Sequence, residues 1–298
     1  MYLPGRRSTK KSSVPQANQT GFNITLLAAL LSVAILSVSC RPVTNFSDPE
    51  EPLYAGNYSD ETPESDGPLK VVTWNIAFAE EIGEAIAELS ENEDLQGADI
   101  ILLQEMDESG TDTIAQTLGY NYVYYPASIH SRHNRNFGNA VLSKWPIVDS
   151  EKLILPHQNP RNDQIRIAVR ALISLGDIEV PVYSLHTETY WLGQRSREDQ
   201  IKYLTDQIDP AYTYVIAGGD FNTLTPGSVD ALEDRLGKAG LDRVSAGAGQ
   251  TVGIGDIGVT LDHIFARGMS PIDTGVPTNI TASDHYPLWV DLVLEDKV

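Results

Sequence analysis

Cysteine is almost missing from this chain: Cys40 is the single one among 298 residues. That excludes an intramolecular disulfide framework and any zinc site built on several thiolates. Positive charge is also scarce, with 21 Lys and Arg against 41 Asp and Glu and a formal charge of −20. A protein that coats nucleic acid by bulk attraction needs the opposite balance. A nuclease is still admitted, because a local cation site overcomes an unfavourable field. Internal repeats are absent. What the chain does have is 41% hydrophobic residues, enough for a real core at a length that suits one large domain or two small ones.

Charge divides the chain into three parts. Residues 1–40 carry +4, residues 41–68 carry −6 and residues 69–298 carry −18. Residues 22–39 (FNITLLAALLSVAILSVS) hold no charge, follow a basic stretch and end at Cys40. This layout predicts an export signal or a short membrane anchor, with the N-terminus cytoplasmic and the remainder exported. A lipoprotein signal lipidated at Cys40, an uncleaved anchor and a cleaved signal peptide are three open versions, giving a lipoprotein, membrane-anchored or secreted/periplasmic location. Residues 41–68 hold five prolines and a run of acids, which reads as a solvated linker.

From residue 69 the pattern is that of one α/β domain. Lys70–Ala77 (KVVTWNIA) and Asp99–Glu105 (DIILLQE) read as buried strands, with Ile82, Ala85, Ile86 and Leu89 at helical spacing between them. A short helix over 111–118 and strands over 122–125 and 139–143 follow. Arg166–Leu175 and Ile178–Thr187 form a hairpin joined at Gly176-Asp177. Helices are expected over 195–208 and 228–237, and further strands over 213–217, 261–266 and 286–294. Hairpins mixed with strand–helix units point to mixed sheets covered by helices rather than one parallel sheet.

The polar residues that stand out lie at the ends of apolar runs. Asn75 ends VVTWN, Glu105 ends IILLQE and His186 ends VYSLH. Asp220 and Asn222 follow VIAGG, whose Gly218 and Gly219 are expected to let the backbone come close to a ligand, Asp262 and His263 open LDHIF, and Asp284 and His285 precede YPLWV. A carboxylate at the end of a hydrophobic strand is costly unless it faces a cleft, a partner or a metal. Several together suggest one rim where loops meet.

The stretches TWNI, LLQE, FGNAVLSKWPI, YSLHTE, AGGDFNT, LDHIFARG and SDHYPLWVDL, in this order, resemble the endonuclease/exonuclease/phosphatase superfamily of deoxyribonuclease-I-like hydrolases over about residues 70–294. The resemblance implies a four-layer α/β/β/α sandwich of two mixed sheets with the active site at one end. It implies a metal-dependent phosphoesterase, with Mg²⁺ or Mn²⁺ on Glu105, Asn75 and Asp284. It casts Asp220 as the water-activating base, Asn222 as the amide that orients it and contacts phosphate, and His285 as the histidine on the scissile phosphate with Asp262 as its partner. His186 matches a second histidine that some members use as a general acid, and Asn139 contacts phosphate or braces the site. Ala77 stands where some nuclease members carry a further acid, so a one-metal site is expected.

Phosphodiester hydrolysis needs a divalent ion, an activated water and stabilised phosphoryl oxygens, and carboxylate oxygen suits Mg²⁺ or Mn²⁺. Arg166, Arg170, Arg195 and Arg197 are candidates for substrate anions, although Arg197 and Gln200 fall on a helix and read as a brace. Nuclease, sphingomyelin hydrolase and inositol-phosphate hydrolase are left unresolved. The expected partners are a phosphoester substrate, nucleic acid as substrate rather than as bulk ligand, and a membrane through the N-terminal segment. The chain is expected to be a monomer. The alternative is a non-catalytic phosphate-ligand binding module on the same fold.

Overall fold

The structure is a computed structural model that describes residues 43–59, 63, 67–190, 193–254 and 257–295. The expected export segment, Cys40 included, lies outside the described residues. Strand alternation decides the layering. In β3 (Leu69–Asn75), Leu69 and Val71 enter one core while Val72 and Trp74 enter another. In β4 (Ile100–Met106), Ile100 and Leu102 likewise part from Ile101 and Leu103. Successive side chains point to opposite faces of a sheet, so a strand apolar in both phases must be covered on both sides.

Eight strands form the first sheet: β1 (Thr44–Asn45), β2 (Tyr54–Asn57), β3, β4, β5 (Asn121–Ile129), β6 (Asn136–Ser143), β15 (Met269–Gly275) and β16 (Leu288–Leu294). Their order is β1-β5-β6-β4-β3-β16-β15, with β2 also on β5. Six form the second: β7 (Ile147–Gln158), β8 (Ile165–Leu175), β9 (Ile178–His186), β10 (Val215–Asp220), β11 (Asp242–Arg243) and β14 (Asp262–Arg267). Their order is β11-β14-β10-β9-β8-β7. A small pair, β12 (Val252–Ile254) and β13 (Ile257–Val259), stands apart.

The core between the sheets joins Val71, Leu102 and Val290 to Val169, Val182 and Ile216. Helices α1 (Ile82–Glu91) and α2 (Glu108–Leu118) cover the first sheet through Ala85, Leu89, Ile114 and Ala115. Helices α3 (Gln194–Gln207) and α4 (Pro226–Gly237) cover the second through Ile201, Leu204, Leu232 and Leu236. This is the expected α/β/β/α sandwich.

Each sheet has one parallel pair with a helix in the crossover, β3/β4 through α1 and β9/β10 through α3. Parallel neighbours end at the same edge. Asn75 therefore lies level with Gln104, and His186 level with Asp220. Antiparallel β14 runs back from that edge, placing Asp262 opposite Asp220. The topology thus gathers the strand-end polar residues at one end of the sandwich.

Two expectations change. Residues 43–59 are not a solvated linker: β1 and β2 both pair with β5 and extend the sheet. Their pairing is mostly main chain, through sequences (Thr-Asn and Tyr-Ala-Gly-Asn) with no apolar alternation. Lys152 pins this strap. It is 1% exposed, and its ammonium donates to the carbonyls of Phe46 (3.2 Å) and Glu51 (2.6 Å). Burial draws its pKa down while Asp48 and Glu51 oppose that. Second, the glycines of AGGD do not clear space for a ligand. A Cβ on Gly219, at φ +148°, would strike the Leu185 carbonyl at 1.9 Å, and one on Gly218 would meet Leu102 at 2.7 Å. They let β10 pack against β9 and against the first sheet.

Two outcomes follow from this packing. Lys152→Met removes the clamp and strands two carbonyls, lowering stability by about 2 kcal/mol; the urea midpoint should fall and residues 43–57 should become the first site of proteolysis. His263 is fully buried on the helix side of β14, with Nε2 2.7 Å from Thr223 Oγ1, and burial, then Arg243, push its pKa down to about 3. The unfolded chain therefore takes up this proton first, near pH ~6.5. Stability is lost as pH falls from there toward 3, by up to ~1.4 kcal/mol per unit. In a pH series of urea midpoints, His263→Leu should flatten that slope by about one proton; an unchanged slope would refute the assignment.

Candidate active site

Asp220 is the centre of the strand-end cluster and is 2% exposed. The backbone N–H of Asn222 donates to its Oδ1 at 2.9 Å, and the Asn75 amide donates to its Oδ2 at 3.3 Å. His186 Nε2 lies 3.4 Å and His285 Nε2 3.9 Å from the same Oδ2. Burial pushes the Asp220 pKa up; the His285 charge opposes this, Asp262 and Glu105 add to it, and the result is about 7. A carboxylate poised near neutrality is suited to take a proton.

His285 is held on three sides. Its Nδ1 is 2.8 Å from Asp262 Oδ2, its carbonyl accepts from the Trp74 indole at 2.9 Å, and its N–H donates to Ser283 Oγ at 3.1 Å. Ser283 in turn donates to the Asn75 carbonyl at 2.6 Å, which ties the loop to the end of β3. Burial works against the imidazolium, but Asp262, Asp220 and Asp284 outweigh it and hold the pKa at about 10. With Nδ1 committed to Asp262, Nε2 is the donor aimed into the site.

Within the last residues of β4, Glu105 takes φ +59°, the left-handed region that non-glycine residues rarely adopt. That turn, next to a register shift between Leu103 and Met106, swings its carboxylate out of the strand phase. Its Oε1 is 3.9 Å from His186 Nδ1, and its side chain keeps 15% exposure where its neighbours are sealed. Burial raises its pKa, Arg166, His285 and an Asn75 hydrogen bond lower it, and Asp284 raises it. Asp284 is exposed and lies close enough to act on both Glu105 and His285.

The donor set fits a hard divalent cation. Glu105, Asp284 and the Asn75 amide offer oxygen atoms of the kind such a cation takes, and four carboxylates crowd around one imidazolium. Asp220, Asp262 and His285 also have ligand atoms within 4.8 Å of one another. In that trio, however, His285 Nδ1 is already spent on Asp262. Glu105 is the better candidate ligand.

Three assignments change on contact with the geometry. Asn139 is 2% exposed and spends its amide N–H groups on the carbonyls of Ile167 (3.0 Å) and Ser184 (3.4 Å). It braces the two sheets rather than contacting phosphate. The Asn222 side chain donates to the Thr187 carbonyl at 3.3 Å, so Asn222 orients Asp220 through its backbone, at φ +52°. His186 packs against Arg166, whose Nη1 is 3.2 and 3.3 Å from its two ring nitrogens. Burial, then Arg166 and His285, push its pKa well down, against the general-acid role that the resemblance implies.

Of the candidate arginines, Arg166 lies in the cluster beside His186. It is buried, faces Glu188 at 3.6 Å and keeps an unpartnered Nε. Arg170 pairs with Asp149 and Glu151 away from the site. Arg197 donates to the Thr189 carbonyl, and Gln200 binds Glu188 N–H and the Pro156 carbonyl, a brace as expected. Glu188 and the buried trio Thr73, Gln104 and Ser184 were not anticipated. Gln104 Nε2 reaches both hydroxyls, at 3.2 and 3.1 Å, directly beneath Glu105.

Known proteins share this fold. The family model described as Endonuclease/Exonuclease/phosphatase family matches residues 72–285. A UPF0294 protein of Vibrio cholerae serotype O1 is 27% identical over 274 residues, covering 89% of this chain and 92% of that relative. TDP2 of D. rerio, solved in complex with a single strand DNA product, superposes with a TM-score of 0.60 at 15% identity over 76% of this chain and 100% of its own. A mannosyl-6-phosphatase of Bacteroides thetaiotaomicron VPI-5482 does so with a TM-score of 0.55 at 18% identity, over 76% and 100%. At such identities the two structures speak for the fold, and the family match, which spans most of the chain and both halves of the strand-end cluster, gives the rest: this chain belongs to the endonuclease/exonuclease/phosphatase family.

Proposed function

We propose that the protein is an exported, divalent-metal-dependent phosphoesterase that hydrolyses its substrate by in-line attack of water. The observation that carries this reading is the Asp220–His285–Asp262 arrangement, with a near-neutral carboxylate facing a committed imidazolium. Asp220 takes the proton of the attacking water. The N–H of Asn222 and the amide of Asn75 fix its two oxygens. His285 donates from Nε2 to a non-bridging phosphoryl oxygen, and Asp262 keeps that imidazole charged and correctly turned.

Glu105, Asp284 and Asn75 would hold the cation. A divalent ion there supplies Lewis-acid neutralisation of the phosphoryl charge. Arg166 adds a permanent positive charge beside His186. The fold itself does not choose the substrate: one neighbour was solved with a DNA product and another is a sugar phosphatase. The non-catalytic alternative finds no support in the cluster, where the base, the phosphate-facing histidine and the carboxylates for a metal are all present.

The test is a panel of a chromogenic phosphodiester, DNA, RNA, sphingomyelin and inositol phosphates, with Mg²⁺ or Mn²⁺ and after chelation. Asp220→Asn and His285→Ala should each lower kcat by roughly 10²–10⁴, with a smaller effect on KM. Chelation should abolish turnover, and either metal should restore it. Activity that persists without metal, or in both variants, would sink the mechanism.

A further inference from the structure

Glu105 and Asp220 belong to different sheets, so their separation is set by whatever fixes one sheet against the other. Glu105 Oε1 and Asp220 Oδ2 both lie against the His186 ring, at 3.9 and 3.4 Å. Asp220 reaches its place through the regular pairing of β10 with β9. Glu105 reaches its place by breaking a strand.

The break is a bulge. Leu103 is level with Ala140 of β6 and Met106 with Gly138, so Gln104 and Glu105 together face the single residue Asn139. Leu103 and Met106, three positions apart, both enter the core on the helix side of the sheet. In an unbroken strand Met106 would take the phase of Leu102 and Gln104, between the sheets, and the Glu105 carboxylate would enter the helix-side core with Leu103. The left-handed conformation at Glu105 absorbs the extra residue and keeps the carboxylate at the rim. A non-glycine residue stays in that conformation only where its surroundings over-determine it.

Those surroundings are a knot of hydrogen bonds centred on Ser184 of β9. Its hydroxyl donates to the carbonyl of Leu103, the last residue before the bulge, at 3.1 Å. The same oxygen accepts from Gln104 Nε2 at 3.1 Å. Its carbonyl accepts from the amide of Asn139, opposite the bulge, at 3.4 Å. Gln104 Nε2 also reaches Thr73 Oγ1 at 3.2 Å and the Leu102 carbonyl at 3.1 Å. Both strands of the bulge are thus tied to one residue of the other sheet. Ser184, Gln104 and Thr73 are fully buried, so water does not compete for these bonds. Two residues beyond Ser184, β9 ends in His186, level with Asp220.

We propose that Ser184 and Gln104 are positioning residues for the cation: their pin across the two sheets holds Glu105 in its left-handed turn, sets the spacing between metal ligand and base, and so sets the affinity for the metal. This rests on the reading of Glu105 as a ligand. Both residues act through Glu105, since neither is open to the site. Outer partners that orient a ligand change metal affinity by roughly 10–100-fold when removed.

Gln104-Glu105 is the one Gln-Glu step in the sequence. The full chain in detergent, made with carbonyl-labelled glutamine and nitrogen-labelled glutamate, therefore gives one selected amide signal by nuclear magnetic resonance, that of Glu105. Mg²⁺ is titrated while this signal is followed, and calorimetry measures the Kd independently. In Ser184→Ala and in Gln104→Met the metal-free signal should move, and the Kd should rise roughly tenfold. Lys152→Met, which loosens the strap, should lower stability and change neither. An unmoved signal or an unchanged Kd in the two pin variants would overturn the proposal, as would an equal rise of Kd in Lys152→Met. Should Ser184→Ala fail to fold, Gln104→Met decides alone, because it keeps the volume and loses the amide bonds. Equal Mg²⁺ binding by the wild type and Glu105→Gln would overturn the ligand assignment instead, and the metal-free Glu105 signal still decides whether the pin holds the turn.

Discussion

The site depends on one costly act, the burial of the Asp220 carboxylate at the end of β10. A sealed carboxylate must be hydrogen-bonded or neutralised. Here a backbone N–H and an amide hold its two oxygens, while His285 supplies opposite charge at 3.9 Å. Each of those groups needs its own support. Asn75 is placed by the β3/β4 pair, His285 by Asp262 and the Trp74 indole, and the Asn222 N–H by a left-handed turn. Removing any one support leaves Asp220 either protonated or misdirected, so fold and chemistry share the same contacts.

Much of this was legible in the sequence because strand ends write themselves plainly. VVTWN, IILLQE, VYSLH and VIAGGD each run apolar and then stop on a polar residue, and parallel pairing aligns such stops. The long hairpin at Gly176-Asp177 was equally plain. Less visible were residues whose role depends on a partner distant in the chain. Asn139 looks like a site residue, but its amide faces carbonyls of the opposite sheet. Thr73 and Gln104 left a signal that alternation exposes: both occupy the phase of Val71 and Leu102, which point between the sheets. Polar groups in that phase need partners, and Ser184 completes the set.

The edges of the sheets were hardest to read. β1 and β2 contain Thr, Asn, Gly, Ala and a single large apolar group, Tyr54, and the acids and prolines around them suggested a solvated linker. An edge strand is held by its main chain and needs no hydrophobic pattern of its own. Lys152 shows the same difficulty from the other side: a lysine following Asp149, Ser150 and Glu151 reads as surface, yet it is sealed beneath the strap. Its partners are carbonyls, which every residue has, so no pairing of residue types could announce it.

The strap has a mechanical consequence. It enters beside the site and runs lengthwise along β5, so a pull on Val43 acts along the strand axis. Such a pull shears the ladder. The β1 and β2 pairings, the Asn45 bonds to the second sheet and the Lys152 clamp are loaded together rather than opened one after another. A load applied at Val43 would therefore pass into the middle of the sandwich, and its rim would hold its shape until several bonds failed at once.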